Sequence, residues 1–303
     1  MAKQKNPLLS LEAHGSIGDA LTYQGRGVTK VSRAKPRLPY FLTLPSQYQR
    51  WLYQDYAYRW RQQSSATQAT YRSACVRYHL TGYQYWMKYM LTNLPDILGL
   101  WYLDQENKPT TPDASRNLHT GTVIGATPAT GPISGCLSFD GINDYVTFGS
   151  PAVLDSPTEL TIEAFVRFST PQPSAWSAVI SKHDSQYEIL INQSGALWRA
   201  RGGINIAGTY YRTWTAYRLS PNTWYHLAFT YPDRKVYIDG IDRTVLNNQT
   251  ALPINPASNL TLATRSVVMD LPYAGLIDQP ALWDRPLTQA TILRHSERRW
   301  PSQ

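Results

Sequence analysis

Residues 223–242 read TWYHLAFTYPDRKVYIDGID, and this stretch decides the fold. Trp224 to Tyr231 is an apolar-aromatic run in which Leu227, Phe229 and Tyr231 alternate. A turn follows at Pro232-Asp233-Arg234. On the return, Val236 and Ile238 repeat the period of two, which is the pattern of strands with one buried face. Asp239-Gly240 then supplies a position tolerant of positive φ. The stretch predicts a β-hairpin packed on a core by one side.

Similar short runs extend outward on both sides. Upstream are Leu98–Leu103, the two runs of Cys136–Phe148 around an Asp-Gly turn, and Leu160–Phe168, where Leu160, Ile162, Ala164, Val166 and Phe168 alternate. Ala178–Lys182, Tyr187–Asn192 and Ala196–Arg201 follow, and Leu260–Ala263 and Tyr273–Asp284 lie downstream. More than ten short strands, with turn residues at intervals of about eight to twelve, predict a mainly β chain with an antiparallel β-sandwich over residues 96–303.

The first 95 residues differ in kind. They carry 13 Lys+Arg against 3 Asp+Glu, a net of +10, whereas the remainder carries 16 against 18, a net of −2. Such asymmetry argues for two parts with different partners. Residues 1–45 hold Gly15, Gly18, Gly25 and Gly27 among loosely alternating apolar residues and read as an extended basic arm with small hairpins. Residues 46–95 read as short α-helices: one after Ser46, a second over Ala66–Leu80 stopped by Gly82, and a third over Tyr83–Leu94. Cys75 and Cys136 fall in different parts, so no disulfide is expected. The N-terminus lacks a secretory apolar core and no run of about 18 apolar residues occurs, so synthesis in a cytoplasm and no membrane span are expected.

The sandwich blocks are specific enough to name a relationship. The runs LGLWYLDQ (98–105), DASRNLHTGTV (113–123), LSFDGINDYVTF (137–148), LTIEAFVRF (160–168), AVISKHD (178–184), the Trp224 hairpin and YAGLIDQPALWDRPLTQATI (273–292) occur in the order shown by the laminin G-like, concanavalin A-like family. The resemblance covers about 200 residues. It implies a two-sheet antiparallel jelly roll, and family members mostly bind glycans or proteins. Residues 10–95 resemble a loosely defined group of phage and prophage virion proteins, through Gly15–Leu21, the basic Gly27–Pro36 stretch, Gln49-Arg50-Trp51 and Gly82–Met87. That resemblance implies a virion location, capsid or tail subunits as partners, and a homo-oligomeric assembly.

Three groups of candidate residues follow. Arg26, Lys30, Arg33, Lys35, Arg37, Trp51, Trp60 and Trp86 are candidates for anchoring on other subunits, since Arg and aromatic residues dominate interface cores. The same basic residues could neutralise phosphates, which leaves a nucleic-acid-packaging role as an alternative. Trp176, Trp198, Arg201, Tyr210, Tyr211, Arg212 and Trp214 are candidates for a glycan platform, because aromatic faces stack on sugar C–H faces and Arg adds hydrogen bonds. The ligand expected for such a platform is a cell-surface or mucus-like glycan. Asp140, Asn143, Asp144 and Asp278 form a candidate calcium site of the kind the family resemblance implies, in which six to eight oxygens surround the ion. The last block here reads Asp278-Gln279-Pro280 where the family usually has Asp-Glu-Val, so one carboxylate is lost.

No catalytic residues are expected. Glu163 and Glu188 each stand alone in their strands, whereas glycosidases of this architecture need two carboxylates close together. His226 in the hairpin reads as structural. No Gly-x-Ser-x-Gly, metal-binding His pair or phosphate loop is present. The sequence thus predicts a non-enzymatic virion decoration protein, with a free carbohydrate-binding module or glycosidase as the alternative.

Overall fold

A computed structural model describes the backbone of residues 15–17, 21–26 and 29–34 and most of residues 53–297, without 54–55, 58, 62, 79, 94–96, 105–108, 116, 134, 156, 183–185, 196 and 252–257. The chain divides into two compact units, residues 1–54 and 55–303. The helical residues after 55 therefore belong with the second unit. In the first, β1 (Gly15–Ile17), β2 (Leu21–Arg26) and β3 (Thr29–Ala34) form a three-stranded antiparallel sheet. Arg33 lies opposite Thr22, Lys30 opposite Gly25, and Arg26 opposite Thr29 in its register. Lys35, Arg37 and Trp51 lie outside the described residues, as does the expected cap at Ser46.

The second unit holds, after helical residues at 56–57 and 59–61, helices α1 (Ser65–Ala74) and α2 (Gly82–Asn93). Ser64 caps α1, its Oγ accepting from Thr67 N at 3.1 Å. The expected single helix to Leu80 instead ends at Ala74 and is followed by a short 3-10 turn at Val76–Tyr78. Gly82, expected as a stop, begins α2. A capping box sets that start: Gln84 N donates to Thr81 Oγ1 at 3.2 Å and Thr81 N to Gln84 Oε1 at 2.9 Å. Tyr71 meets Trp86 edge-on at 5.0 Å and Trp60 at 6.1 Å. Trp86 is buried and donates Nε1–H to the Tyr56 carbonyl.

The sandwich follows. Its first strands are β4 (Ile97–Leu100), β5 (Thr110–Thr111), β6 (Gly121–Ile124), β7 (Thr127–Thr130), β8 (Gly135–Asp140) and β9 (Tyr145–Thr147). Then come β10 (Leu160–Phe168), β11 (Trp176–Lys182), β12 (Tyr187–Ser194), β13 (Leu197–Ile206) and β14 (Thr209–Thr215). The last are β15 (Tyr225–Tyr231), β16 (Lys235–Ile238), β17 (Ile241–Asp242), β18 (Thr244–Ala251), β19 (Leu260–Leu262) and β20 (Ala274–Trp283), before helix α3 (Gln289–Ser296). One sheet runs β17-β16-β15-β10-β20-β8-β7, with β4 also on β20; the other runs β18-β14-β13-β12-β11-β19-β9-β6-β5. All the ladders are antiparallel.

The opening hairpin is β15 and β16, paired Leu227↔Ile238 and Phe229↔Val236. These four residues lie in the inter-sheet core with Ile162, Ala164, Val166 and Phe168 of β10 and Ile189, Ile191 and Ile204 of the facing sheet. Burying each such side chain contributes about 1.5–3 kcal/mol. Asp239-Gly240 turns β16 into β17, with φ of 51° and 75°. Asp239 Oδ1 accepts from His226 N at 2.8 Å. Helix α3 passes over this turn so closely that a Cβ on Gly240 would lie 2.3 Å from Leu293 Cα.

That contact makes Gly240→Ala a direct probe of the hairpin and the helix above it. The left-handed φ and the crowding together should cost about 2–4 kcal/mol. A lowered denaturation midpoint by circular dichroism is expected; an unchanged midpoint would mean α3 does not sit on the turn.

Candidate functional site

The outer face of the nine-stranded sheet carries several arginines and tryptophans. Side chains alternate across a strand, and the register sorts them. Arg201 lies between Leu190 and Trp214, Gly203 between Glu188 and Arg212, and Asn192 between Trp176 and Arg199. Trp176, Glu188, Arg199, Arg201, Tyr210, Arg212 and Trp214 therefore share this face. Trp198 and Tyr211 have the opposite parity. Trp198 is buried in the core 5.1 Å from Phe168, and Tyr211 packs on the core from its edge. Both leave the glycan platform expected from sequence, because the pleat turns them inward.

Glu188 is the foot of the site. It is 1% exposed, and Arg201 Nη2 and the Tyr210 hydroxyl both donate to its Oε1. Arg265 Nε lies 3.2 Å from Oε2 and bridges onward to Asp270 at 3.7 Å. Burial works against the ionised carboxylate, but Arg201 and Arg265 outweigh it and hold the Glu188 carboxyl below the usual range. Burial, then the charge of Glu188, pushes the Tyr210 phenol well up. Gly203 is needed for this arrangement: a Cβ there would meet Tyr210 Oη at 2.0 Å.

Above that foot stand the aromatic rings. Arg201 Cζ lies 4.5 Å from the Trp176 ring centre and 5.7 Å from that of Trp214, and the two indoles meet edge-on at 5.2 Å. Both tryptophans are half-buried, as are Arg199 and Arg212. Among the described residues, Arg199 Nε, Arg201 Nε, Arg212 Nε and Trp214 Nε1 are buried donors with no hydrogen-bond partner in the protein. Each such group costs about 1–3 kcal/mol if left unmet. The face thus offers aromatic surface ringed by unmet donors.

The other candidate groups are arranged differently. Asp144 Oδ2 accepts from Asp140 N at 2.9 Å, and Asp140 Oδ1 from Ile142 N at 2.7 Å, so both carboxylates shape the β8–β9 turn. Asp278 does not join them. Asp140 pairs with Ala274, and Asp278 is four residues further along β20, about 13 Å at strand rise. It lies buried beside Gly131 and Cys136 instead. No cluster of three or more His, Cys, Asp or Glu fit for a metal occurs among the described residues. Trp60 and Trp86 are spent on packing α1 against α2.

The outer face of the eight-stranded sheet also holds a buried carboxylate. Glu163 accepts from Trp283 Nε1 at 2.9 Å and pairs with His295 Nδ1 at 2.7 Å, with His226 Nε2 at 3.3 Å. Burial opposes its charge, yet His295 and then His226 hold the carboxyl well below the usual range. Helix α3, which supplies His295, covers Glu163 on this face. Sequence reading missed Glu188, Arg199 and Arg265 as site residues. The alternation in Leu197-Trp-Arg-Ala-Arg201 was the available signal for Arg199, and long-range pairing hid the rest.

Two antiparallel sheets with one open, aromatic outer face define a lectin-type sandwich. The family model of the concanavalin A-like lectin/glucanases superfamily matches residues 140–293, half of the chain, and the chain belongs to that family. Among solved structures, domain 4 of AbnA, a GH43 extracellular arabinanase from Geobacillus stearothermophilus, determined with arabinotriose, is 18% identical with a TM-score of 0.51, over 66% of this chain and 98% of that one. The binding domain of Paraclostridial Mosquitocidal Protein 1 is 13% identical with a TM-score of 0.52, over 66% of this chain and 52% of that one. The chain thus spans nearly all of the first relative and about half of the second, and the likeness is one of fold. No curated protein matches the chain. No described helix is long and apolar enough to cross a membrane.

Replacing Glu188 by Gln leaves the buried Arg201 without its counter-charge and should cost about 3–5 kcal/mol at pH 7. Because the folded carboxyl sits below its unfolded value of about 4.3, its contribution is complete above that pH and is lost as pH falls through the folded value. Urea denaturation against pH should therefore fall more steeply below about pH 4.3 in the native chain than in Glu188→Gln. Parallel curves would contradict the pairing.

Proposed function

We propose that this chain is a non-enzymatic glycan-binding protein carried on a phage particle. The outer face of the nine-stranded sheet binds the sugar, and the basic N-terminal residues 1–95 hold the protein on capsid or tail subunits. One observation carries the binding assignment: Trp176 and Trp214 present half-buried rings 5.2 Å apart, braced by an arginine that a buried glutamate fixes from below. Rigid aromatic surface with nearby donors suits the apolar and hydroxyl faces of a sugar. The AbnA domain of the same fold was determined with arabinotriose, which supports a sugar ligand.

Chemistry at this face is disfavoured by its charges. A glycosidase needs one protonated carboxyl with a raised pKa beside a second carboxylate. Glu188 is held ionised by two arginines, and Glu163 belongs to the other sheet beneath α3. The particle assignment rests on the net +10 of residues 1–95 and on their resemblance to virion proteins.

A glycan array probed with the full chain should show bound oligosaccharides, and Trp214→Ala should weaken binding by at least tenfold, about 1.4 kcal/mol, without loss of fold. Hydrolysis of any bound glycan would refute the non-enzymatic reading. Mass spectrometry of purified particles should find the chain in stoichiometric amounts; its absence would remove the particle role.

A further inference from the structure

The donors of this face point to the chemical class of the ligand. Four arginines converge there, Arg199, Arg201, Arg212 and Arg265, against two carboxylates, Glu188 and Asp270. Both carboxylates are taken: Glu188 by Arg201 and Arg265, and Asp270 by Arg265. Among the described residues, Arg199 and Arg212 have no acidic partner, and their Nε atoms accompany Arg201 Nε and Trp214 Nε1 as buried donors without acceptors. Of the neutral amides on the face, Asn192 spends its Nδ2–H on the Ala175 and Gln193 carbonyls, and Asn248 lies opposite Arg212.

A neutral sugar presents hydroxyls, which donate and accept alike. The carboxylates on this face are paired with arginine, whereas the cationic heads of Arg199 and Arg212 face no carboxylate among the described residues, and a neutral sugar brings them no counter-charge. Carboxylate and sulfate oxygens only accept, and arginine meets them side-on through Nε–H and Nη–H together. The strand register places Arg199 and Arg212 on either side of the Arg201–Trp214 row, with Arg199 in the row of Trp176. Arg199 is two residues along β13 from Arg201, and Arg212 is two residues along β14 from Trp214, each about 7 Å away.

We infer that the ligand of this face is an acidic glycan, whose carboxylate or sulfate groups are taken by Arg199 and Arg212 while its rings lie on Trp176 and Trp214. This rests on reading the face as a glycan site. The test is calorimetric titration of the full chain with oligogalacturonate, with the same oligosaccharide after carboxyl reduction, and with a heparin oligosaccharide. At least one acidic probe should bind tenfold or more tightly than the reduced one, and which of the two does so separates a carboxylate from a sulfate ligand. Arg199→Ala with Arg212→Ala should remove that preference while leaving the circular dichroism spectrum unchanged. Lysine at both positions keeps the charge but loses the side-on fork, and should restore only part of the preference.

Equal binding of reduced and acidic sugars would overturn the inference while leaving the glycan site in place. So would acidic binding that survives the double alanine variant. Binding of none of the three probes, joined to a blank glycan array, would instead overturn the site itself.

Discussion

Each sheet of the sandwich buries one glutamate on the side turned away from the core, and the two charges are neutralised in different ways. A buried carboxylate is tolerated only when paired and hydrogen-bonded. Glu163 in the eight-stranded sheet draws its partners from β15, β20 and α3, through His226, Trp283 and His295. A helix therefore lies over it. Glu188 in the nine-stranded sheet draws its partners from its own sheet and an adjoining loop, through Arg201, Tyr210 and Arg265. No described helix covers that face.

The difference places the binding surface. Where α3 supplies the counter-charge, the sheet around Glu163 is covered, and β10 is buried along nearly its whole length. Where arginines supply it, their planar heads are fixed in position and become a floor for tryptophan rings. Arg201 joins both roles, pairing with Glu188 below and facing Trp176 above. The pairing that neutralises the carboxylate thus also orders the aromatic surface, and ordering it beforehand lowers the entropic cost of binding.

Much of this fold could be read from period-two patterns alone. Leu227, Phe229, Val236 and Ile238 alternate, and they occupy the core as a hairpin. The same rule, carried through Thr209-Tyr-Tyr-Arg-Thr-Trp-Thr215, separates Tyr210, Arg212 and Trp214 from Tyr211; grouping the aromatics by closeness in sequence mixed the two faces. Other features had no local signal. Glu188 meets Arg265 across 77 positions, and Glu163 meets His295 across 132. Asp278 and Asp140 sit on neighbouring strands, yet the register keeps them about four residues apart. Gly82 looked like a helix stop until the Thr81–Gln84 box showed that a helix begins there.

The central claim is that ligand binds on the open face of the nine-stranded sheet, over Trp176 and Trp214. Indole N–H signals in a nitrogen-15 correlation spectrum test it most directly. On titration with a bound oligosaccharide, the Trp214 and Trp176 signals should shift, while those of the buried Trp101, Trp198 and Trp283 stay in place. Saturable shifts confined to other tryptophans, with Trp176 and Trp214 unmoved, would contradict the account.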